Sequence, residues 1–140
     1  MELGCFTRFF MINSRDLNHL SPVLKIKAEQ FLLACRLQDI DVLIYCTYRD
    51  IASQEALYKV GRTVKGHILT NKRGGNSAHN HTIDGKLASN AFDAVPMLHG
   101  KCDWDNDVMY QKIGLIGENL GLKWAGRWRG SLKERAHFEL

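Results

Sequence analysis

A chain of 140 residues, 45% hydrophobic and 24% charged, is sized for one compact domain with its own core, which excludes a disordered polymer and a multi-domain assembly. The net charge of +4 favours an anionic partner. Lys and Arg are nonetheless scattered without interleaved aromatics, so no nucleic-acid surface is expected, and no stretch approaches the ~18 apolar residues that span a bilayer.

The opening Met1 to Met11 has too short an apolar run for a signal peptide. Residues 1–13 read as an N-terminal extension in which Met11 is an alternative start, and 14–140 as the domain. Leu3-Gly4-Cys5 is similar to a lipoprotein cleavage site, but no charged and apolar segment precedes it. Cys5, Cys35, Cys46 and Cys102 lack CxxC spacing and read as reduced thiols of a protein made in the cytoplasm.

Ser21-Pro22 opens a helix, a capping hydroxyl followed by a proline whose missing N–H is harmless in the first turn. Leu24, Ala28, Phe31 and Cys35 then recur at three- and four-residue spacing as one buried stripe. Val42 to Cys46 is a short β-branched and aromatic run that predicts a central strand, delivering Thr47, Tyr48 and Arg49 at its end. Asp50 caps a second short helix through Ser53, Gln54, Ala56 and Leu57, which Gly61 terminates. Residues 62–77 hold Gly or Asn at five of sixteen positions and form a loop. Ala91 to Val95 predicts a second strand, closed by Pro96. An amphipathic helix follows on Trp104, Val108, Ile113, Ile116 and Leu120, stopped by Gly121. The tail ends in a strand-like His137-Phe138-Glu139-Leu140. Helices first and strands between, without regular alternation, predict an α+β domain.

A catalytic zinc takes three protein ligands, commonly two imidazoles and a carboxylate, and leaves a fourth position open. His79, Asp93 and His137 are candidates. Asp93 is the most informative, because a carboxylate in an apolar strand is costly to bury unless it is paired or binds a metal; solvation on an outward strand face is the plain alternative. His81 rivals His79, since His79-Asn80-His81 in an extended segment puts both imidazoles on one side. Glu134 stands three residues before His137, within reach of a shared water, or is an ordinary solvated glutamate beside Lys133 and Arg135. A cysteine peptidase using Cys46 is a rival from another class.

Taken together, Ser77-Ala78-His79, Gly85, Ala88, Ala91-Phe92-Asp93 and Glu134-Arg135-Ala136-His137-Phe138-Glu139 resemble the D-alanyl-D-alanine carboxypeptidase/VanY superfamily. Tyr48-Arg49, Gln54, Leu57-Tyr58, Gly61-Arg62-Thr63, Thr70 and Trp124-Ala125-Gly126-Arg127-Trp128 resemble its branch of phage L-alanyl-D-glutamate endolysins. The similarity runs from about Ser14 to Leu140. It implies a small antiparallel sheet with packed helices in a Hedgehog/DD-peptidase-like single domain. It also implies one Zn2+ on His79, Asp93 and His137, Glu134 as general base, and Arg49 facing substrate, either on a developing oxyanion or on a substrate carboxylate. A structural salt bridge is the alternative for Arg49. Ser77, Gln54 and Trp128 are expected to shape the site or touch substrate.

The chain departs from the superfamily in the longer stretch between His79 and Asp93, with an insertion around His81 to Lys86. It departs also in Ala125 for glycine, Ala136 for proline, and Glu134 where the endolysin branch often has aspartate. The implied activity is hydrolysis of the L-alanyl-D-glutamate bond in peptidoglycan stems. D-alanyl-D-alanine carboxypeptidase and a non-catalytic wall-binding module are the alternatives. By analogy a monomer without signal peptide is expected, reaching the wall in the periplasm after holin-type release during phage lysis.

Overall fold

The computed structural model describes residues 11–129 and 134–140, which places Cys5 and the Leu3-Gly4-Cys5 triplet outside the described residues. It is an α+β fold with three α-helices, α1 (Pro22–Leu37), α2 (Ile51–Lys59) and α3 (Asp107–Asn119). The main sheet contains β1 (Val42–Cys46), β4 (Ala91–Leu98), β7 (His137–Glu139) and β6 (Lys123–Trp124) in that spatial order, with β5 (Lys101–Cys102) also on β4. All its pairings are antiparallel. A separate hairpin joins β2 (Thr82–Ile83) to β3 (Lys86–Leu87).

Helix α1 buries the expected stripe of Leu24, Ala28, Phe31 and Cys35. Its opening differs from the expected one. Pro22 takes the first turn, but the Ser21 hydroxyl makes no cap bond, while the Ser21 amide donates to the Ser89 carbonyl at 2.9 Å. Ser21 is therefore spent on tying the helix start to the approach of β4. Asp50 does cap α2, accepting from the Ser53 amide at 2.8 Å, and Gly61 follows with φ +83°.

Strand β4 runs through Pro96 instead of ending there. Alternate residues of a strand aim their N–H groups to the same side. Ala94 donates to Ala136, just before β7, and Met97 donates to Asp41, just before β1. The missing donor of Pro96 thus falls on the β7 side, past the last β7 pairing at Asp93, where the Pro96 carbonyl still accepts from the Asp103 amide at 2.8 Å, just after β5.

Helix α3 also differs from the predicted pattern. Trp104 lies before it, Val108 is 65% exposed, and the buried face is Tyr110, Ile113, Gly114, Ile116 and Gly117. The two glycines are the reason. A Cβ on Gly114 would overlap the Trp124 ring, and one on Gly117 would overlap the Phe138 ring. The helix seats itself on the sheet through the expected Ile113 and Ile116 and through two glycines that carry no hydrophobic signal.

Cross-strand partners share a sheet face. The row Phe92, Phe138, Trp124 joins Phe31 in the core under α1 and α3, with Phe92 and Phe138 stacked at 5.4 Å. The adjacent row Cys46, Asp93, His137 turns to the opposite face. A one-residue step along the same three strands separates core from site.

Candidate metal centre

The row on the open face gathers what lay 91 residues apart in sequence, Cys46 to His137. A bulge in β1, where Ile44 and Cys46 face the consecutive residues Ala94 and Asp93, sharpens the strand end beside it. His79 arrives from another direction, on a 3-10 turn (Ala78–Asn80) whose capping side chain is Ser77, accepting from the His79 amide at 3.2 Å. Asn80 fastens the turn to the strand end by donating to the Arg49 carbonyl at 2.6 Å.

Asp93 Oδ1 lies 3.2 Å from His79 Nε2 and 3.4 Å from His137 Nδ1, with the two imidazoles 5.1 Å apart between centroids. The other nitrogen of each ring is already engaged. His79 Nδ1 lies 2.8 Å from the Thr47 carbonyl oxygen, which only accepts, so the proton sits on Nδ1. His137 Nε2 donates to Glu139 Oε1 at 2.7 Å. Neutral rings in these tautomers turn two nitrogen lone pairs on a carboxylate, a repulsive arrangement that needs positive charge in its midst. Protons on the imidazoles or a metal cation supply it.

The geometry suits a metal. Two bonds of ~2.0 Å meeting near the tetrahedral angle set their donor atoms ~3.3 Å apart, which the 3.2 and 3.4 Å separations match. Nitrogen, nitrogen and oxygen donors with the outer nitrogen of each histidine held by a carbonyl or carboxylate are a donor set of the kind that holds a metal ion. The ionisation pattern shows the same demand for positive charge between these groups. Burial opposes charge on Asp93, but the two histidines hold its carboxyl well below the usual range. Burial likewise disfavours a charged His137, yet its bonds to Asp93 and Glu139 lift it to about 9.

Cys46, His79 and Asp93 also lie close enough to hold an ion together. Cys46 Sγ, however, stands 3.8 Å from His79 Nδ1, the nitrogen committed to Thr47, and contacts Asn13 Oδ1 at 2.9 Å. Fully buried, its thiol is pushed up to about 12. That chemistry disfavours both a thiolate ligand and a nucleophile. Cys35 and Cys102 are likewise free thiols.

Arg49 is 8% exposed, and both terminal nitrogens are committed, Nη1 to Gln54 at 2.9 Å and Nη2 to Asp93 Oδ2 at 3.2 Å. Gln54 in turn donates to the Lys72 carbonyl at 2.7 Å, so it joins Arg49 to the 62–77 loop. Glu134 lines both an open cleft of about 360 Å³ and a small adjoining cavity of about 20 Å³ that it shares with Arg49, His79, His137 and Trp128. Burial raises the Glu134 carboxyl, and the charges of His137, His79 and Arg49 oppose that rise. The Trp128 ring stands 5.4 Å from that of His137.

His81 is exposed and bonded to the Ala88 carbonyl at 2.8 Å, turned away from Asp93. The insertion it begins is the β2–β3 hairpin, closed by Asp84 and Gly85 with φ +50° and +76°, as a two-residue turn requires. Residues 82–87 line neither the cleft nor the small cavity. The sequence reading missed Glu139 as a partner of His137. The signal was spacing, since residues i and i+2 of a strand share a face.

No family model matches the chain. Peptidoglycan L-alanyl-D-glutamate endopeptidase CwlK of Bacillus subtilis (strain 168) is 33% identical over 129 residues, covering 86% of this chain and 73% of that protein. The crystal structure of the L-Ala D-Glu endopeptidase ChiX of Serratia marcescens superposes with a TM-score of 0.61 at 21% identity, over 92% of this chain and 88% of that one, a likeness of fold. Shared sequence over most of both chains, on a fold of this kind, shows that the chain belongs to the peptidoglycan L-alanyl-D-glutamate endopeptidase family.

Proposed function

We propose that this protein is a zinc peptidase that hydrolyses the L-alanyl-D-glutamate bond of peptidoglycan stems. In this reading His79 Nε2, Asp93 and His137 Nδ1 hold one zinc ion and Glu134 is the general base. The observation that carries it is the pair of histidine nitrogens aimed at one carboxylate, 3.2 and 3.4 Å away, with their outer nitrogens fixed by Thr47 and Glu139. Membership of an endopeptidase family supports the bond chosen. No helix among the described residues is long and apolar enough to cross a membrane.

Bound zinc supplies Lewis-acid chemistry, acidifying water and polarising a carbonyl. Glu134 takes a proton from the attacking water and returns it to the departing amine nitrogen. Its raised carboxyl suits both transfers, because a catalytic group works best with its pKa moved towards the operating pH. Arg49 holds Asp93 through Oδ2 and leaves Oδ1 to the histidines, so it positions the ligand set from beneath, with Gln54 holding Arg49. Ser77 fixes the turn that presents His79. The open cleft beside Glu134, walled by Tyr45, Leu57, Ile68, Leu69 and Trp104, receives the substrate chain.

Purified sacculi incubated with the zinc-loaded protein are expected to release new amino groups, and a chelator is expected to stop the release. Glu134→Gln should retain stoichiometric zinc while turnover falls ~100-fold or more. Near-normal turnover in that variant would exclude Glu134 as the base.

A further inference from the structure

A third hollow, of about 340 Å³, opens on the far side of the small cavity and is polar, lined among others by Lys72, Asn76, Asn80, His81, Asn90 and Glu139. The small cavity shares Arg49, Thr70, Glu134 and His137 with the apolar cleft, and Lys72, Ser77, Ala78 and Glu139 with the polar hollow. Through these shared residues the three adjoin in a row across the site, with mostly apolar side chains at one end and more polar ones at the other.

Among the described residues two long-chain cations line this row of cavities, Arg49 and Lys72. Arg49 is engaged by Gln54 and Asp93. Lys72 enters none of the ion pairs among the described residues. Its backbone is nonetheless fixed on both sides, the amide donating to Thr70 Oγ1 at 3.1 Å and the carbonyl accepting from Gln54 at 2.7 Å. The same buried glutamine that holds Arg49 therefore sets where Lys72 stands. Glu139, the acid in this hollow, is occupied by His137 at 2.7 Å. Lys72 thus brings to the hollow an ammonium that makes no close ion pair among the described residues, although the Glu139 carboxylate lies within range of its charge, beside several amide side chains.

Resting on the endopeptidase reading above, we propose that the polar hollow is the subsite for the D-glutamyl side of the scissile bond, and that Lys72 recognises the free α-carboxylate of that residue. The two halves of the substrate differ in the required sense. The side chain of the L-alanyl residue is a methyl group, which suits the apolar cleft. A D-glutamyl residue linked onward through its γ-carboxyl brings an unpaired α-carboxylate, which an ammonium binds by a charge-assisted hydrogen bond. Lys72 is then a specificity residue that discriminates stems with a free α-carboxyl from stems in which it is amidated.

The test compares two soluble peptides, N-acetyl-L-alanyl-γ-D-glutamyl-L-lysine and the same peptide with the D-glutamyl α-carboxyl converted to the carboxamide. The zinc-loaded wild type is expected to favour the carboxylate peptide about tenfold, through KM with kcat little changed. Lys72→Met should bring that ratio to about one, Lys72→Glu should bring it below one, and Lys72→Arg should restore a preference for the carboxylate. A Lys72→Met enzyme that keeps the wild-type ratio, or a wild type without preference, overturns the assignment to Lys72 while the endopeptidase reading stands. A wild type that cleaves neither peptide overturns both.

Discussion

At the residue scale the site is defined by which atom of each side chain is already spoken for. Thr47 and Glu139 take the outer nitrogens of the two histidines, Arg49 takes the outer oxygen of Asp93, and what remains points inward. Glu139→Gln weakens the hydrogen bond that orients His137, so zinc affinity should fall about 10- to 100-fold, measured by competition with a chromophoric chelator. The same titration tests the protonation of His137. Without metal that imidazole holds its proton until about pH 9, above its ordinary 6.5, so zinc must displace it. Apparent zinc affinity is expected to rise with pH from 6.5 and level off near 9. An affinity independent of pH across that window would exclude Nδ1 of His137 as a ligand. Without metal, burial raises the Glu134 carboxyl above its ordinary range, against the pull of His137, His79 and Arg49.

At the scale of elements, the parts that agree with the sequence are those whose signal is local. The stripe of α1, the β-branched run of β1 and the Asp50 cap each declare themselves in a few residues, and each is present as expected. The face of α3 was legible in part: Ile113 and Ile116 are buried as expected, whereas Val108 is exposed and Gly114 and Gly117, which hydrophobic periodicity counts as gaps, complete the contact. β6 and the β2–β3 hairpin are two-residue strands, too short for any period to show. Pro96 misled because its effect depends on where the neighbouring strand ends, a fact of tertiary structure. Gly→Ala in a helix interior ordinarily stabilises by about 1 kcal/mol, whereas forcing a methyl group into a filled contact costs about 1–3 kcal/mol. Gly114→Ala and Gly117→Ala should each lower the midpoint of chemical denaturation; a gain would show that α3 does not lie on Trp124 and Phe138 as described.

At the scale of the whole molecule, one sheet serves two purposes by alternation, with Phe92 and Phe138 facing the helices and their neighbours Asp93 and His137 facing the cleft. The candidate ligands were legible in the sequence as residue types, and the family resemblance gave them an order. Periodicity alone left His79 and His81 equal. The fold separates them, since a 3-10 turn takes the place of the extended segment that would have aligned them. Glu139 and Lys72 were hidden for a different reason: each acts through a neighbour that only the closed sheet and the pinned 62–77 loop bring near. Residues 11–13, assigned to the N-terminal extension by sequence, contribute contacts of their own, as the Asp50 amide donates to the Ile12 carbonyl at 2.9 Å and Asn13 accepts from Cys46.

Zinc on His79, Asp93 and His137 is expected to serve cleavage between L-alanine and D-glutamate. Mass spectrometry of muropeptides digested by the zinc-loaded protein, with and without a chelator, tests it most directly. Stems severed after L-alanine, in the metal-loaded digest alone, are the predicted result. Loss of only a terminal D-alanine, or cleavage that persists after the metal is stripped, would contradict it.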